Sequence, residues 1–408
     1  MEEMVKGKVL ILSGSFGQGH QQVAYAVEEA IQKRSPNTEV VVVDFLAWAH
    51  PYFYHVAHFT YMKMLKYSPK LYGFLYKKTY KKSSMSTKLD KILSAGIGKM
   101  QNLIQMIQPS IIINTFPFAA AIVSKLKEYQ VIDIPSITVI TDHTSHSYWI
   151  HPFTDQYIVA SGKVKQSLVD LGIKRETVAC TGIPIRSKFS EPSNRDEIRK
   201  KYELDPTLPT ILIMGGGEGL IGKEILKSNE LETLHEKIQF LIICGKNKKL
   251  KKNLEKEFYD SKHIIKIFGY TENIHELMSV SELVITKPGG VTTSEALVTE
   301  LPMILFKPLP GQEEDNAHYL IQSGAAIAAE NSFDLLHKIN IILANKNILQ
   351  KLKSSAKKIQ MTNASLHALY AIINAKVQVG LNSGHQTRID RWKTNRLFKK
   401  SLLFNQGH

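Results

Sequence analysis

Short apolar runs alternate with amphipathic stretches along most of the chain. Residues 9–12 form an apolar run suited to a buried strand. Apolar residues then recur from Val23 to Ile31 at the three- and four-residue spacing of one helix face. Alternation of this kind predicts an α/β fold built on parallel sheets, because each buried strand is followed by a helix that covers it.

The alternation occurs twice along the chain. In the first half the predicted strands read KVLIL, VVVVD, SIIINT, SITVIT and QYIVA. In the second half they read TILIMGGG, QFLIICG, IIKIFGY, LVITKPGG, PMILFKP and AAIAA. A polar, proline-containing stretch between the halves predicts a linker with one short helix. We therefore expect two open-sheet domains that face a cleft, at residues 1–190 and 191–362, with residues 363–408 crossing back to complete the first domain.

A glycine loop follows the first predicted strand of each half, SGSFGQGH in the first and MGGGEGLIG in the second. Ligands of open parallel sheets bind at the carboxyl ends of the strands, so both loops should point into one crevice. Gly14, Gly17 and Gly19 are spaced G-x-x-G-x-G, which departs from the dinucleotide fingerprint and argues against a nicotinamide site. Asp44 after the next strand keeps that site as an alternative. His20, at the mouth of the first loop, is a candidate general base because imidazole titrates near neutral pH.

The stretch from residue 286 to residue 320 carries groups suited to phosphate and sugar. A turn leads into a predicted helix, and its residues are Pro288, Gly289 and Gly290. The exposed N–H groups of that helix start, with the hydroxyl of Thr292 or Thr293, can bind phosphate, and Glu295 can accept both hydroxyls of a ribose. Three polar residues after the next strand suit sugar hydroxyls: Gln312, Glu313 and Asn316. The second glycine loop and the dipole of its following helix can stabilise the negative charge of a diphosphate, and its glycines are Gly215, Gly216 and Gly217.

The charge of the chain implies an anionic partner. It has 52 Lys and Arg against 37 Asp and Glu, a formal net charge of +15. No acidic residue lies between Asp44 and Asp90, a stretch rich in lysine and aromatic residues that suits a membrane interface. The residues assigned to acceptor or membrane contact are Lys77, Lys78, Lys81, Lys82, Tyr72 and Phe74. The alternative is a basic, solvated helix pair whose aromatic side chains fill the core of the first domain, and nucleic acid is disfavoured because no known nucleic-acid module is present.

Neither a metal nor another cofactor is predicted. No D-x-D motif occurs, and His143, His146 and His151 are spaced irregularly for a metal site. Cys180 and Cys244 lie far apart in apolar contexts, which indicates buried thiols in a reducing compartment. Because we find neither a signal-peptide pattern nor 18 consecutive uncharged apolar residues, we expect a cytoplasmic protein that is soluble or peripheral to the membrane.

Six motifs together resemble one glycosyltransferase family. GSFGQGH, INTFP, VITDHTSHSYW, TGIPIRSKF, ITKPGGVTTSEA and KPLPGQEEDN follow one another between residues 9 and 363. In this order they resemble the monogalactosyldiacylglycerol synthase and processive diacylglycerol glucosyltransferase branch of the GT-B glycosyltransferases. The resemblance implies two Rossmann-like domains facing a cleft, an inverting reaction, a UDP-sugar donor and a lipid acceptor.

The resemblance also assigns roles to residues of the predicted cleft. It makes His20 the general base, Glu295 the ribose ligand, and Gln312 and Glu313 contacts of the donor sugar. Independently of the resemblance, Asp142 in the motif TDHTSH is a candidate orienting or acceptor-side carboxylate and the second candidate for the base. The choice between His20 and Asp142 stays open at this point.

We therefore expect an inverting glycosyltransferase that moves a hexose, with glucose preferred, from a UDP-sugar to diacylglycerol or a glycosyl-diacylglycerol. It should act at the cytoplasmic face of the cell membrane and without a metal. The alternatives are a UDP-N-acetylglucosamine-dependent transferase acting on a polyprenyl lipid, a sugar-nucleotide epimerase of the same shape, and a non-catalytic sensor of UDP-sugars. The lysine and aromatic stretch favours a transferase with a lipid acceptor, because an epimerase needs no contact with lipid.

Overall fold

The computed structural model describes Val5, residues 7–80, residues 86–217, Gly219 and residues 227–375. Within these residues the chain forms two sheets of six strands each, and helices flank both sheets. Residues 376–408, which the sequence assigns to the first domain, lie outside the described residues.

The first half of the chain folds into a parallel sheet. Its strands are β1 (Val9–Ser13), β2 (Val40–Asp44), β3 (Ile111–Asn114), β4 (Ser136–Val139), β5 (Gln156–Val159) and β6 (Val178–Cys180). Its helices are α1 (Gln18–Arg34), α2 (Phe45–Ala49), α3 (Pro51–Tyr67), α4 (Pro69–Tyr80), α5 (Ser86–Ile107), α6 (Pro117–Glu128) and α7 (Gly162–Asp170). Short 3-10 helices lie at Ser147–Trp149, Arg175–Thr177 and Ser187–Phe189. The strand order is β2-β1-β3-β4-β5-β6, and every pairing is parallel.

The second half repeats the arrangement. Its strands are β7 (Thr210–Met214), β8 (Gln239–Ile243), β9 (Ile264–Phe268), β10 (Leu283–Thr286), β11 (Met303–Phe306) and β12 (Ala326–Ala329). Its helices are α8 (Arg195–Lys201), α9 (Ser228–Leu231), α10 (Lys248–Glu257), α11 (Ile274–Val280), α12 (Gly290–Val298), α13 (Gln312–Gln322), α14 (Ser332–Ala344), α15 (Lys346–Ile359) and α16 (Ala364–Ile373). The strand order is β12-β11-β10-β7-β8-β9, again parallel throughout.

Both faces of each sheet are buried, which explains why the strands read as continuous apolar runs. In β1, Val9 and Ile11 pack into one hydrophobic cluster, whereas Leu10 and Leu12 pack into another. Successive strand residues point to opposite faces, so each face of the sheet needs its own layer of helices. The cluster that contains Val9 also contains Leu212 of β7, so a hydrophobic core runs through both halves.

The prediction of two open parallel sheets is confirmed. The sequence pattern predicts all the strands of the second sheet and five of the first, but it does not predict β6. This strand has three residues, Val178–Cys180, which are too few to stand out as an apolar run. Among the strands of the described ranges it pairs only with β5, and it forms one edge of that sheet.

The last described helix returns to the first half. Helix α16 packs against α1 and β5, and its buried residues Ala368, Leu369 and Ile372 join the core cluster that both halves share. The chain therefore crosses back after the second sheet is complete. The exact domain bounds stay a prediction.

The lysine and aromatic stretch forms two helices after β2. Pro51 opens α3 and Pro69 opens α4, the position at which proline suits a helix because its missing N–H would have no helical partner. Helix α3 contacts both α2 and α4. None of the helices in the described ranges is long and apolar enough to cross a membrane.

Candidate active site

Each sheet has a switch point, where the chain leaves two neighbouring strands in opposite directions. In the first sheet it lies between β1 and β3, and in the second between β7 and β10. Loops after these strands line one cleft of about 360 Å³, to which both halves contribute. Open α/β sheets bind ligands outside the carboxyl ends of their strands at such points, so this cleft is the candidate active site.

His20 lines the cleft from the first turn of α1. Thr141 Oγ1 lies 3.1 Å from His20 Nδ1, and the Thr115 backbone also hydrogen-bonds the ring. The His20 ring centroid lies 5.4 Å from that of Phe116 and 5.8 Å from that of Trp149. Loss of water around the ring lowers the pKa of His20 to about 4. The imidazole is therefore neutral at pH 7, the state in which it can accept a proton.

Asp142 lies in the same wall of the cleft as His20 and is buried. The Thr141 side chain hydrogen-bonds Asp142 and also contacts His20, so one hydroxyl links the two candidate bases. Burial raises the pKa of Asp142 to about 6, and a hydrogen bond from Asn316 opposes part of that rise. Both groups are mainly deprotonated at pH 7, so the choice between them stays open.

Asn316 bridges the two halves behind the wall of the cleft. Its side chain is fully buried, and Nδ2 donates to Asp142 Oδ1 and to the Pro288 carbonyl, each at 3.0 Å. Its Oδ1 accepts from the His143 backbone N–H at 2.8 Å. The sequence assigns Asn316 and Pro288 to donor contact, and that assignment stays a prediction. In the structure the Asn316 amide binds both the Pro288 carbonyl and the Asp142 carboxyl group.

The turn after β10 brings the start of α12 to the cleft. Gly289 and Gly290 line it together with Thr292 and Glu295. A Cβ on Gly290 would lie 2.0 Å from the Thr141 carbonyl oxygen, so glycine permits the close contact between the halves. Glu295 is 8% exposed, and burial raises its pKa to about 8. Such a carboxyl group suits the predicted ribose contact, because ribose hydroxyls would replace the hydrogen bonds it loses with water.

Gln312 and Glu313 begin α13 and line the cleft beside this turn. The Leu309 backbone N–H donates to Glu313 Oε2 at 2.7 Å and orients that carboxyl group. Burial raises the pKa of Glu313, and the nearby Lys287 opposes the rise. Lys287 lines the cleft directly after β10, where its cation suits a diphosphate. The motif TKPGG contains this lysine, but the pattern alone does not separate it from a surface lysine.

The second glycine loop lies opposite α1. Gly215, Gly216 and Gly217 follow β7 and line the cleft. A Cβ on Gly217 would lie 2.3 Å from Gln18 Cγ, so the loop approaches the start of α1 closely. The helix expected after this loop falls on residues 218 and 220–226, outside the described residues, and its dipole stays a prediction.

The aromatic residues of α3 and α4 divide between the cleft and the surface. Tyr61 and Tyr72 line the cleft, with ring centroids 6.0 Å apart, and the Phe16 ring lies 5.4 Å from that of Tyr61. Phe59 and Phe74 are 59% and 61% exposed. Aromatic rings therefore line the cleft on one side of these helices and meet solvent on the other, and the contact with a membrane stays a prediction.

The outer side of these helices combines rings with cations. Lys63 Nζ lies 4.5 Å from the centroid of the Phe59 ring, and Lys78 Nζ lies 5.9 Å from that of Phe74. Lys77 is exposed on the last turn of α4. Two further lysines assigned to this surface lie outside the described residues: Lys81 and Lys82.

The histidines of residues 143–151 have separate surroundings. His143 stacks on Tyr319 with ring centroids 4.8 Å apart, and His146 Nδ1 accepts from the Tyr148 backbone N–H at 3.1 Å. His151 donates its backbone N–H to the Tyr157 hydroxyl at 2.9 Å. In the part of the chain that the structure describes, no group of three or more His, Cys, Asp or Glu is placed to hold a metal ion.

Two basic residues reach the cleft where the chain passes from the first half to the second. Arg186 Nη1 lies 3.5 Å from Glu29 Oε2, and its guanidinium lies 5.6 Å from the centroid of the Tyr25 ring. Lys188 donates to the Glu272 carbonyl of the second half. The motif TGIPIRSKF contains both residues, but their position in the cleft depends on contacts with residues far away in sequence.

Two family models match the chain. Residues 20–185 match the one described as monogalactosyldiacylglycerol (MGDG) synthase, and residues 210–373 match the glycosyltransferase family 28 C-terminal domain. Over 376 residues the chain is 36% identical to the processive diacylglycerol beta-glucosyltransferase of Bacillus cereus (strain G9842), and the alignment covers 91% of this chain and 94% of that relative.

Solved structures share the arrangement of the two sheets. MurG of Acinetobacter baumannii superposes with a TM-score of 0.58 at 14% identity, covering 90% of this chain and 99% of that one. MnaA of S. aureus, in a co-structure with UDP, superposes with a TM-score of 0.60 at 14% identity, covering 92% and 100%. At such identity the likeness concerns the fold alone, and the predicted GT-B class is confirmed.

Proposed function

The chain belongs to the family of monogalactosyldiacylglycerol synthases and processive diacylglycerol glucosyltransferases, and on that basis we propose that it transfers glucose from a UDP-sugar to diacylglycerol or a glycosyl-diacylglycerol. Membership makes it a glycolipid glycosyltransferase. The observation that carries the finer proposal is the shared cleft, lined by His20 from one half and by Glu295 from the other. A base and a nucleotide ligand on opposite walls can hold acceptor and donor for a direct transfer.

The donor lies along the second half in this proposal. Ribose hydroxyls donate hydrogen bonds to Glu295, which is buried away from water, and the hexose contacts Gln312 and Glu313. The diphosphate lies against the N–H groups at the start of α12, with Lys287 beside it. Helix N-termini attract anions through their exposed N–H groups and positive dipole end.

The reaction is a single displacement. The acceptor hydroxyl approaches from the wall of the first half, and His20 or Asp142 takes its proton as the oxygen attacks the anomeric carbon. The bond from that carbon to the diphosphate oxygen breaks on the opposite side, UDP leaves, and the configuration at the anomeric carbon inverts. Lys287 and the N–H groups of α12 stabilise the charge that develops on the leaving group.

We assign charge stabilisation to groups of the chain itself and propose that transfer needs no metal. The support is Lys287 in the cleft, the glycine turn at the start of α12 and the absence of a D-x-D motif from the sequence. Activity should persist in EDTA after dialysis against a chelating resin. Loss of activity in EDTA that Mg²⁺ or Mn²⁺ restores would contradict this part of the proposal.

The outer side of α3 and α4 is the proposed contact with the cytoplasmic face of the membrane. We call this surface the docking face, and its members are Phe59, Lys63, Tyr67, Phe74, Lys77 and Lys78. Aromatic rings can enter the headgroup layer, while lysines meet anionic lipid. Tyr61 and Tyr72, on the inner side, lie where a lipid acceptor would pass from that face into the cleft.

Incubation with radiolabelled UDP-sugars and vesicles that contain diacylglycerol tests the function directly. UDP-glucose should label the lipid extract, and UDP-galactose and UDP-N-acetylglucosamine should label it less. Label in polyprenyl lipid but not in diacylglycerol would favour the alternative acceptor. Conversion of the nucleotide sugar without labelled lipid would favour an epimerase, and binding with neither product would favour a sensor.

A further inference from the structure

Helix α4 of the first half packs directly on the segment that leads into α13 of the second. Gly73 faces Pro310, and a Cβ on Gly73 would lie 2.4 Å from Pro310 Cβ. Gly311 has φ +104°, and a Cβ there would lie 2.9 Å from Cγ of the Tyr76 ring. Because Gly73 and Gly311 lack a Cβ, the helix and the segment can pack in direct contact. The positive φ of Gly311 is also a backbone conformation that favours glycine.

Tyr76 adds polar contacts to this packing. Its hydroxyl donates to Asp315 Oδ2 at 3.2 Å, and the Thr144 hydroxyl donates to the same oxygen at 3.2 Å. The Tyr76 ring centroid lies 4.3 Å from that of His146, whose Nε2 lies 3.2 Å from the Tyr76 carbonyl oxygen. With 8% of its surface exposed, Tyr76 is enclosed between the two halves.

The segment that Tyr76 contacts is held together internally. Leu309 N donates to Glu313 Oε2 at 2.7 Å, and Gly311 N donates to Glu314 Oε2 at 3.3 Å. Asp315 lies in the same first turn of α13 as Gln312 and Glu313. Because these residues share one hydrogen-bonded turn, a contact that restrains Asp315 also restrains the backbone from which Gln312 and Glu313 reach the cleft.

We propose that Tyr76 is a positioning residue for the donor sugar: acting through Asp315 and Gly311, it holds the turn that carries Gln312 and Glu313. The inference rests on the proposed function, because it takes these two residues as contacts of the hexose. It means that a helix of the acceptor side sets the geometry of the donor side. A helix seated on the membrane surface thereby favours the arrangement that binds the sugar.

The Tyr76→Phe variant removes the hydroxyl and keeps the ring. Affinity for UDP-glucose and for UDP should be compared by calorimetry, because UDP lacks the hexose. UDP-glucose should bind about three- to tenfold more weakly, the change expected for one hydrogen bond of ordinary strength, while UDP affinity stays within about twofold. Tyr259→Phe is the matched control, since Tyr259 is 85% exposed and should change neither affinity.

A general loss of stability would weaken both ligands alike, so equal changes in UDP and UDP-glucose affinity, or no change in either, overturn the inference. Thermal unfolding of the same samples verifies that the folded state persists. If the parent protein binds no UDP-sugar, the proposed function fails instead. If the parent protein binds UDP-glucose but Tyr76→Phe has the same ratio of UDP to UDP-glucose affinity as the parent, the positioning role is wrong and the proposed function stands.

A double-mutant cycle tests the route through Asp315. If Tyr76 acts through that carboxylate, Tyr76→Phe combined with Asp315→Ala should weaken UDP-glucose binding no more than Asp315→Ala alone. Independent, additive losses would contradict the proposal. Gly73→Ala is a second test that leaves both polar groups in place, because its new methyl group must displace Pro310, and it should lower the affinity for UDP-glucose more than that for UDP.

Discussion

Burial shifts the pKa values of the carboxyl groups that line the cleft. Burial raises the pKa of Glu295 to about 8 and that of Asp142 to about 6, and it also raises the pKa of Glu313. Lys188 opposes the rise at Glu295, and Lys287 opposes that at Glu313, but neither cation cancels the cost of lost hydration. Ligand binding and proton binding at these groups should therefore be linked.

Glu295 should release a proton when the donor binds. The free carboxyl group is mainly protonated at pH 7, since its pKa is about 8. Ribose hydroxyls that donate to it favour the carboxylate, so UDP affinity should rise between about pH 6 and pH 8, by at most about tenfold per pH unit, and level off above pH 8. Calorimetry in two buffers of different ionisation enthalpy measures the proton released.

The Glu295→Gln variant is the control for this linkage. It should bind UDP roughly tenfold to a hundredfold more weakly than the parent, the cost of a hydrogen bond to a charged group, and release no proton. Parent affinity that stays constant from pH 6 to pH 8, or proton release that persists in the variant, would remove Glu295 from the ribose site.

The pH dependence of transfer should separate His20 from Asp142. A general base acts when deprotonated, so activity rises with pH through its pKa. At saturating UDP-glucose, where the pH dependence of donor binding no longer limits the rate, the pKa of about 6 at Asp142 predicts a rise of kcat between about pH 5 and pH 7, whereas His20, with a pKa of about 4, contributes its rise at lower pH. If Asp142 is the base, Asp142→Asn loses this rise together with most of the turnover; if His20 is the base, kcat is already level above about pH 5 and Asp142→Asn leaves it so.

Substitution of the imidazole should lower turnover far more than donor binding. His20→Ala is expected to cost roughly 10²- to 10⁴-fold in kcat, the contribution of a positioned base, with UDP affinity close to that of the parent. If His20→Ala keeps near-parent turnover while Asp142→Asn loses it, the assignment of the base moves to Asp142.

Single residues were predictable where a motif carries the chemistry, and less so where partners are distant. His20, Glu295 and Gln312 follow strands or loops whose position in an open sheet is known, so their place at the cleft could be inferred. Asn316 could not be understood in this way, because its partner Asp142 lies 174 residues away. An amide side chain can hydrogen-bond a sugar hydroxyl or a carboxylate equally well, so the sequence alone does not show that Asn316 binds Asp142.

Helices and strands differ in how much their own sequence determines. Apolar runs identify the strands because both faces of each sheet are buried, and only the three-residue β6 escapes this pattern. Helices α3 and α4 carry aromatic residues on several sides, so periodicity could not separate the inner Tyr61 and Tyr72 from the outer Phe59 and Phe74. That separation arises from the cleft and from the second half of the chain.

The docking face should bind anionic vesicles reversibly and in a salt-sensitive manner. Lys63→Gln combined with Lys78→Gln should weaken sedimentation with anionic vesicles by about 2 kcal/mol at low salt, roughly thirtyfold, since each lysine near such a surface contributes about 1 kcal/mol. UDP affinity should not change, because both side chains are exposed.

A matched pair of exposed lysines on the second half provides the control. Lys248→Gln combined with Lys249→Gln removes the same charge from α10 and should leave sedimentation close to that of the parent. If the α10 variant loses as much binding as the α3 and α4 variant, net charge alone explains membrane association, and the docking face has no special role.

The two halves are in close contact along an interface beside the cleft, called the seam, and the sequence pattern does not predict these contacts. A repeated strand–helix pattern predicts two sheets, but it contains no information on their mutual orientation. In the structure Gly290 approaches Thr141, Gly217 approaches Gln18, and Asn316 joins the loops on both sides. These contacts bring the candidate base and the donor residues to one cleft, which is why the seam should matter for transfer.

Gly290→Ala should disturb catalysis by opening this seam. The new Cβ would lie 2.0 Å from the Thr141 carbonyl oxygen and 3.1 Å from Asp142 Cα, and these backbone atoms cannot turn aside as a flexible side chain could. A displacement of about 1 Å between base and donor costs on the order of 10²-fold in rate, so kcat should fall by that amount and UDP affinity by less. Gly98→Ala is the control, because no atom beyond its chain neighbours and the backbone of its own helix lies within 4 Å of the new Cβ, and it should keep parent turnover. Turnover of Gly290→Ala equal to that of Gly98→Ala would show that transfer does not depend on this contact between the halves.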